Sequence, residues 1–200
     1  MRADVCRDMR RSKSSFESLV WPAIGPLIGG GQAISMELST DSELRTLFDV
    51  TSGIDAWQVS TAGGMYAIAS RVQPYGKDWS TFTVRLTRAS GAKTEWEKLR
   101  DACYSRDGRV FPQWFVQAYT SKDGSSLLSC AAVRTAELVS HIDFFCSESQ
   151  DVRENRCDGN KFWMVGWDRP ARHGSFCLTD CGSTSLVVVR PDKEEAMDGR

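Results

Sequence analysis

Apolar residues recur along this chain in two rhythms. Phe16, Leu19, Val20, Ala23 and Ile24 fall at i, i+3, i+4, i+7 and i+8, the spacing of one helix face. Ser14 and Ser15 offer hydroxyls for its N-terminus. Pro22 and Pro26 limit or kink that helix, and Gly29-Gly30-Gly31 ends it. Ala33 to Leu38 reads as a short strand and Ser42 to Phe48 as a helical turn. From residue 54 the rhythm shortens to two. Ile54 to Val59 and Met65 to Gln73 read as a hairpin across Ala62-Gly63-Gly64, and Pro74-Tyr75-Gly76 turns the chain again. Thr81 to Thr87 alternates with β-prone residues and is the clearest strand.

The second half continues the pattern. A helix is expected over Thr94 to Cys103, then a hairpin of Phe111 to Thr120 and Leu127 to Val133 across Lys122-Asp123-Gly124. Thr135 starts a helix reaching Phe145, residues 147–160 form a polar loop, and Lys161 to Trp167 and Ser185 to Val189 are the last strands. Strand hairpins followed by helices predict an α/β or α+β layer, a mixed central sheet flanked by helices. The expected domain spans residues 14–190, between a charged tail at 1–13 and another at 191–200.

Composition narrows the class. With 200 residues, 41% hydrophobic and 26% charged, the chain can bury one sizeable core without staples. No apolar run approaches the roughly 20 residues of a membrane span. Met1 to Ser15 is charged and lacks the apolar segment of a secretory signal, so a cytoplasmic protein with reduced thiols is expected. The seven cysteines follow no framework spacing; Cys146, Cys157, Cys177 and Cys181 leave zinc open, although the first pair is too widely spaced for the usual ligand pattern. The net charge of −1 hides an uneven distribution. Residues 71–109 carry 9 basic and 5 acidic side chains, a local +4 that suits phosphates or a solvated mixed surface equally well.

The candidate chemistry begins at Gly53-Ile54-Asp55-Ala56-Trp57, where a carboxylate sits inside an apolar run. Aspartate is disfavoured within a strand, and burying its charge costs several kcal/mol unless a cation or donors compensate. Its neighbours in chain order are Glu17 on the first helix and Ser70-Arg71-Val72-Gln73 ending the next strand.

That order, helix acid, strand Asp and polar strand pair, resembles the PD-(D/E)XK nuclease superfamily over roughly residues 14–145. The resemblance implies a restriction-endonuclease-like fold. It also implies a Mg²⁺ site, with Mn²⁺ as a substitute, hydrolysing DNA phosphodiesters. Glu17 matches the helix acid and Asp55 the strand acid, and both, with Gln73 as a neutral oxygen ligand, would hold the metal. The third motif departs from Glu-X-Lys. Arg71 stays charged and cannot be a base, but can clamp a phosphate. Lys93 and Glu97, one turn apart on the second helix, would supply the missing lysine and acid. DNA is the implied partner, no membrane is involved, and a homodimer is left open.

Each residue also has a plainer reading. Glu17 suits a first helical turn by the helix dipole alone. Asp55 suits a turn or sheet edge. Arg71 and Gln73 would solvate a strand face, and Lys93 and Glu97 would form a helix ion pair. Trp57, Trp79 and Trp96 read as core anchors, with base stacking open to Trp79. Gln117 and Tyr119 share a strand face that lines a cleft or meets solvent. The functional alternatives are a metal-dependent nuclease, a non-catalytic module of the same fold using Arg71, Arg85, Arg88 and Lys93 on phosphates or on an acidic protein, and a structural or interaction protein.

Overall fold

The computed structural model describes residues 12–36, 53–88, 91–105, 110–155, 158–169 and 186–191. The expected helical turn at Ser42 to Phe48 and most of both tails lie outside them. The first helical segment, α1, changes pitch along its length: a π-helical turn Phe16–Val20, an α-helical turn Trp21–Ile24 and a 3₁₀ turn Gly25–Ile28. The prolines explain this. Pro22 has no N–H to bond four residues back, and the Trp21 N–H bonds instead to the Phe16 carbonyl, five residues back. Phe16, Val20, Ile24 and Ile28 are the buried residues of this face. Gly29 closes the segment with φ 113°, and a Cβ at Gly31 would lie 2.0 Å from the Val59 carbonyl oxygen, so only glycine fits there.

Nine strands follow among the described residues: β1 Gln32–Ser35, β2 Ala56–Val59, β3 Met65–Gln73, β4 Thr81–Arg85, β5 Trp114–Thr120, β6 Leu127–Arg134, β7 Val152–Glu154, β8 Lys161–Gly166 and β9 Leu186–Val189. Six of them form a mixed sheet in the order β1-β2-β3-β5-β6-β9. All neighbours in it are antiparallel except β3 and β5, which run parallel. Helices further along the described residues include α2 Glu95–Tyr104, α3 Thr135–Phe145 and a single turn, α4, Glu148–Asp151.

The strand expected at Thr81 to Thr87, next in the chain after the hairpin, does not join this sheet. β4 pairs antiparallel with β8, which pairs with β7, in a separate three-stranded sheet. The physical reason lies in the connection. Residues 74–80 are more than the 2–5 residues of a hairpin loop and carry the chain out of the sheet plane. The place beside β3 falls to β5, reached through β4 and α2 as a parallel crossover. The region expected as a polar loop, 147–160, also contains α4 and β7.

Two apolar layers result. On one face of the large sheet, α1 packs over Ala56, Ile68, Val72, Val116, Ala118 and Ala132. On the other, the small sheet with α2 and α3 encloses Ala69, Phe82, Val84, Leu99, Phe115, Val133, Leu138 and Val165. Strand β3 therefore serves both layers. Ile68 and Val72 point toward α1, and Ala69 points toward the small sheet.

Candidate functional site

Asp55 lies just before β2 rather than inside it. Its backbone N–H donates to the Ile68 carbonyl at 2.9 Å, and its carbonyl accepts from the Met36 N–H at 3.0 Å. One residue further, where β2 no longer flanks β3, the carboxylate takes over the ladder: Oδ2 accepts from the Ser70 N–H at 2.6 Å. The carboxylate thus compensates a backbone donor that the strand end would leave open. Beside it is a cavity of about 190 Å³ lined by Lys13, Phe16, Asp55 and Ser70, among others. Phe16 reaches the cavity, whereas Glu17, next along the helix, is exposed and does not line it. A step of one residue turns a helical side chain about 100°.

Arg71 and Gln73 project from the other face of β3. Arg71 Nη1 donates to Glu95 Oε2 at 2.9 Å, and both side chains are half-buried. The same Oε2 accepts the backbone N–H of Arg85 at 2.9 Å. One carboxylate at the first position of α2 therefore ties β3 to β4. Both guanidiniums lie over one ring: Arg71 is 4.8 Å and Arg85 5.5 Å from the centroid of Phe162 on β8. The Arg85 Nε is buried with no hydrogen-bond partner among the described residues. Burial lowers the Arg85 pKa from its ordinary value, and Arg71 and Arg88 push the same way against Glu95 and Asp158. Two guanidiniums over one ring, only one of them bonded to a carboxylate, make under partial desolvation a place where an anion is welcome.

Behind this cluster runs a polar chain. Gln73 Nε2 donates to Thr83 Oγ1 at 3.3 Å, and Thr83 donates through Oγ1 and its backbone N–H to Gln117 Oε1 at 3.0 and 3.2 Å. Gln117 is 0% exposed, and its Nε2 has no partner among the described residues. Gln117 and Tyr119 thus line neither cleft nor solvent; they are interior, held between the two sheets.

Lys93 and Glu97 do not pair. Glu97 closes a capping box with Thr94, accepting its N–H at 2.7 Å and its hydroxyl at 2.9 Å, while the Glu97 N–H donates to Thr94 Oγ1 at 3.2 Å. These bonds lower the Glu97 pKa below its ordinary value. Lys93 instead bonds to Asp101 at 2.7 Å on the surface. The residue missed in the sequence is Glu95. Thr94-x-x-Glu97 already carried the signal, since a capping signature commits Glu97 and leaves Glu95 as the available first-turn acid. Trp96 packs edge-on with Trp163, and Trp79 with Tyr75 and Tyr119.

Glu17 is exposed away from the cavity, Asp55 is engaged by the Ser70 N–H, and Gln73 is on the opposite face bonded to Thr83. Among the described residues, no three His, Cys, Asp or Glu side chains gather where they could hold a metal ion. Cys146 is described and half-buried, whereas Cys157, Cys177 and Cys181 lie outside the described residues. No described helix is long and apolar enough to cross a membrane. No family model, curated protein or solved structure matches the chain.

Proposed function

We propose that this chain is a non-catalytic nucleic-acid-binding module, with DNA as its partner, in which Arg71 and Arg85 grip phosphate oxygens. The observation that carries the reading is the convergence of these two guanidiniums on Phe162, with Glu95 as their shared carboxylate. A guanidinium offers a rigid fork of donors that matches a phosphate, and the apolar ring beneath it keeps the fork in place. Glu95 holds Arg71 directly and positions Arg85 through its backbone, which leaves cationic capacity over. The net +4 of residues 71–109 supplies the surrounding field. Lys93, spent on Asp101, takes a peripheral part.

The metal-dependent hydrolysis implied by the PD-(D/E)XK resemblance needs carboxylates that converge on one cation. Asp55 lines the cavity and Glu17 does not, which favours phosphate recognition without cleavage. The test is DNA binding titrated against salt, run beside a plasmid-cleavage assay with Mg²⁺ or Mn²⁺. Binding that weakens steeply with salt and no cutting are expected. Cutting that disappears in Asp55→Ala would establish the nuclease instead, and salt-independent binding would remove the phosphate role.

A further inference from the structure

We infer that the loop between β3 and β4 is a base-stacking platform, so that the nucleic acid this chain prefers is single-stranded. The inference rests on the phosphate-gripping role of Arg71 and Arg85 and names the substrate class for it. Two neighbouring aromatics on this loop stay open to solvent: Tyr75 is 56% and Trp79 39% exposed. Their rings meet edge-on at 5.5 Å.

They are mounted rather than loose. On its inner side Trp79 meets the fully buried Tyr119 edge-on at 5.5 Å. The Tyr119 hydroxyl donates to the Thr81 carbonyl at 2.8 Å. The loop is pinned by the Gly76 N–H on the Thr120 carbonyl at 3.0 Å and by Asp78 Oδ1, which accepts the Ser80 N–H at 2.6 Å. Ser80 holds a left-handed φ of 48°, a conformation that persists only where surrounding contacts over-determine it.

The charge around the pair suits the same ligand. The Lys77 ammonium lies 5.8 Å from the Trp79 ring centroid, and Arg190 bonds Ser80 Oγ at 3.0 Å. Asp78 accepts from Ser80 and lies 3.9 Å from the Arg190 Nε, so Lys77 is the cation of this loop with no carboxylate beside it among the described residues. The platform also adjoins the arginine cluster. Gln73, on the Arg71 face of β3, stands opposite Tyr119 in the β3/β5 register. A strand whose phosphates reach Arg71 and Arg85 can therefore lay bases on Trp79 and Tyr75. Every base has a π-face to offer, but only an unpaired strand presents it.

Fluorescence anisotropy at fixed salt tests this with three labelled probes of equal length: oligo-dT, an abasic strand and a duplex. Wild type is expected to bind oligo-dT more tightly than either other probe. Trp79→Ala should weaken oligo-dT binding by about 5- to 150-fold, the range for one stacked base, and leave the abasic strand and duplex unchanged. Trp79→Phe should retain most of the affinity. Tyr75→Ala, at the more exposed ring, gives the same readout should Trp79→Ala fold poorly. Equal wild-type affinity for all three probes, or oligo-dT binding unmoved by Trp79→Ala and Tyr75→Ala alike, would overturn the platform. Those results leave salt-dependent binding through Arg71 and Arg85 standing. Stacking that survives while Arg71→Ala and Arg85→Ala change nothing would fail the phosphate role alone. No binding to any probe would overturn both.

Discussion

Asp55 and Glu95 are both carboxylates that join strands, and they do it at opposite faces of β3. Asp55 completes the ladder at Ser70, so Asp55→Ala leaves a part-buried N–H without its acceptor, at a cost of about 1–3 kcal/mol. Thermal unfolding should show a lowered midpoint, with Asp55→Asn closer to wild type because an amide oxygen still accepts. A midpoint unchanged or raised in Asp55→Ala would point to a repulsive ligand site instead. Glu95→Gln removes the counter-charge of Arg71. It should tighten DNA binding and steepen its salt dependence while lowering the midpoint, which separates it from a simple folding defect. The sequence made Asp55 conspicuous because a charge in an apolar run is a visible conflict. It did not reveal the resolution, since the donor comes from a strand fifteen residues away. Glu95 was harder to see than Glu97 because the two differ only in which one the cap consumes.

Among the elements, α2 owes its start to the capping box of Thr94 and Glu97. Thr94→Ala should cost about 1 kcal/mol, which for a chain of this size lowers the midpoint by roughly 2–4 °C. Differential scanning calorimetry checks this; a shift of zero would mean that packing of Trp96 and Leu99 alone fixes the helix start. Most strands were legible because alternation is strong and their turns are glycine-marked. What alternation does not encode is which sheet a strand joins. Thr81 to Arg85 has the same pattern whether it extends the hairpin before it or pairs with Lys161 to Gly166. The length of the 74–80 connection carried the answer. The pitch changes of α1 were half-visible, since prolines announced a disturbance but not that helical winding would continue through it.

For the molecule as a whole, the described residues include three free thiols, Cys130 buried and Cys103 and Cys146 partly buried, and burial raises their pKa values. Cys103 and Cys130 are pushed up to about 12 and Cys146 to about 11, from an ordinary 9.0. A folded-state value above the unfolded one means the stabilisation is complete below pH 9 and is lost as pH rises toward about 12. Thermal midpoints measured from pH 8 to pH 11 should therefore fall less steeply in Cys130→Ala than in wild type. Equal slopes would show that the Cys130 thiol is not buried as described. At this scale the charged cluster of Arg71, Arg85 and Glu95 lies across β3 from Asp55.

We propose above all that Arg71 and Arg85 contact phosphate. The most direct measurement is the slope of log binding constant against log salt for a labelled DNA strand, in wild type, Arg71→Ala, Arg85→Ala and the double variant. Each lost contact should make the slope shallower by about 0.7 on single strands, or about 0.9 on duplex, and the double variant should lose about twice that. A wild-type slope retained in full by the double variant would show that neither arginine contacts phosphate.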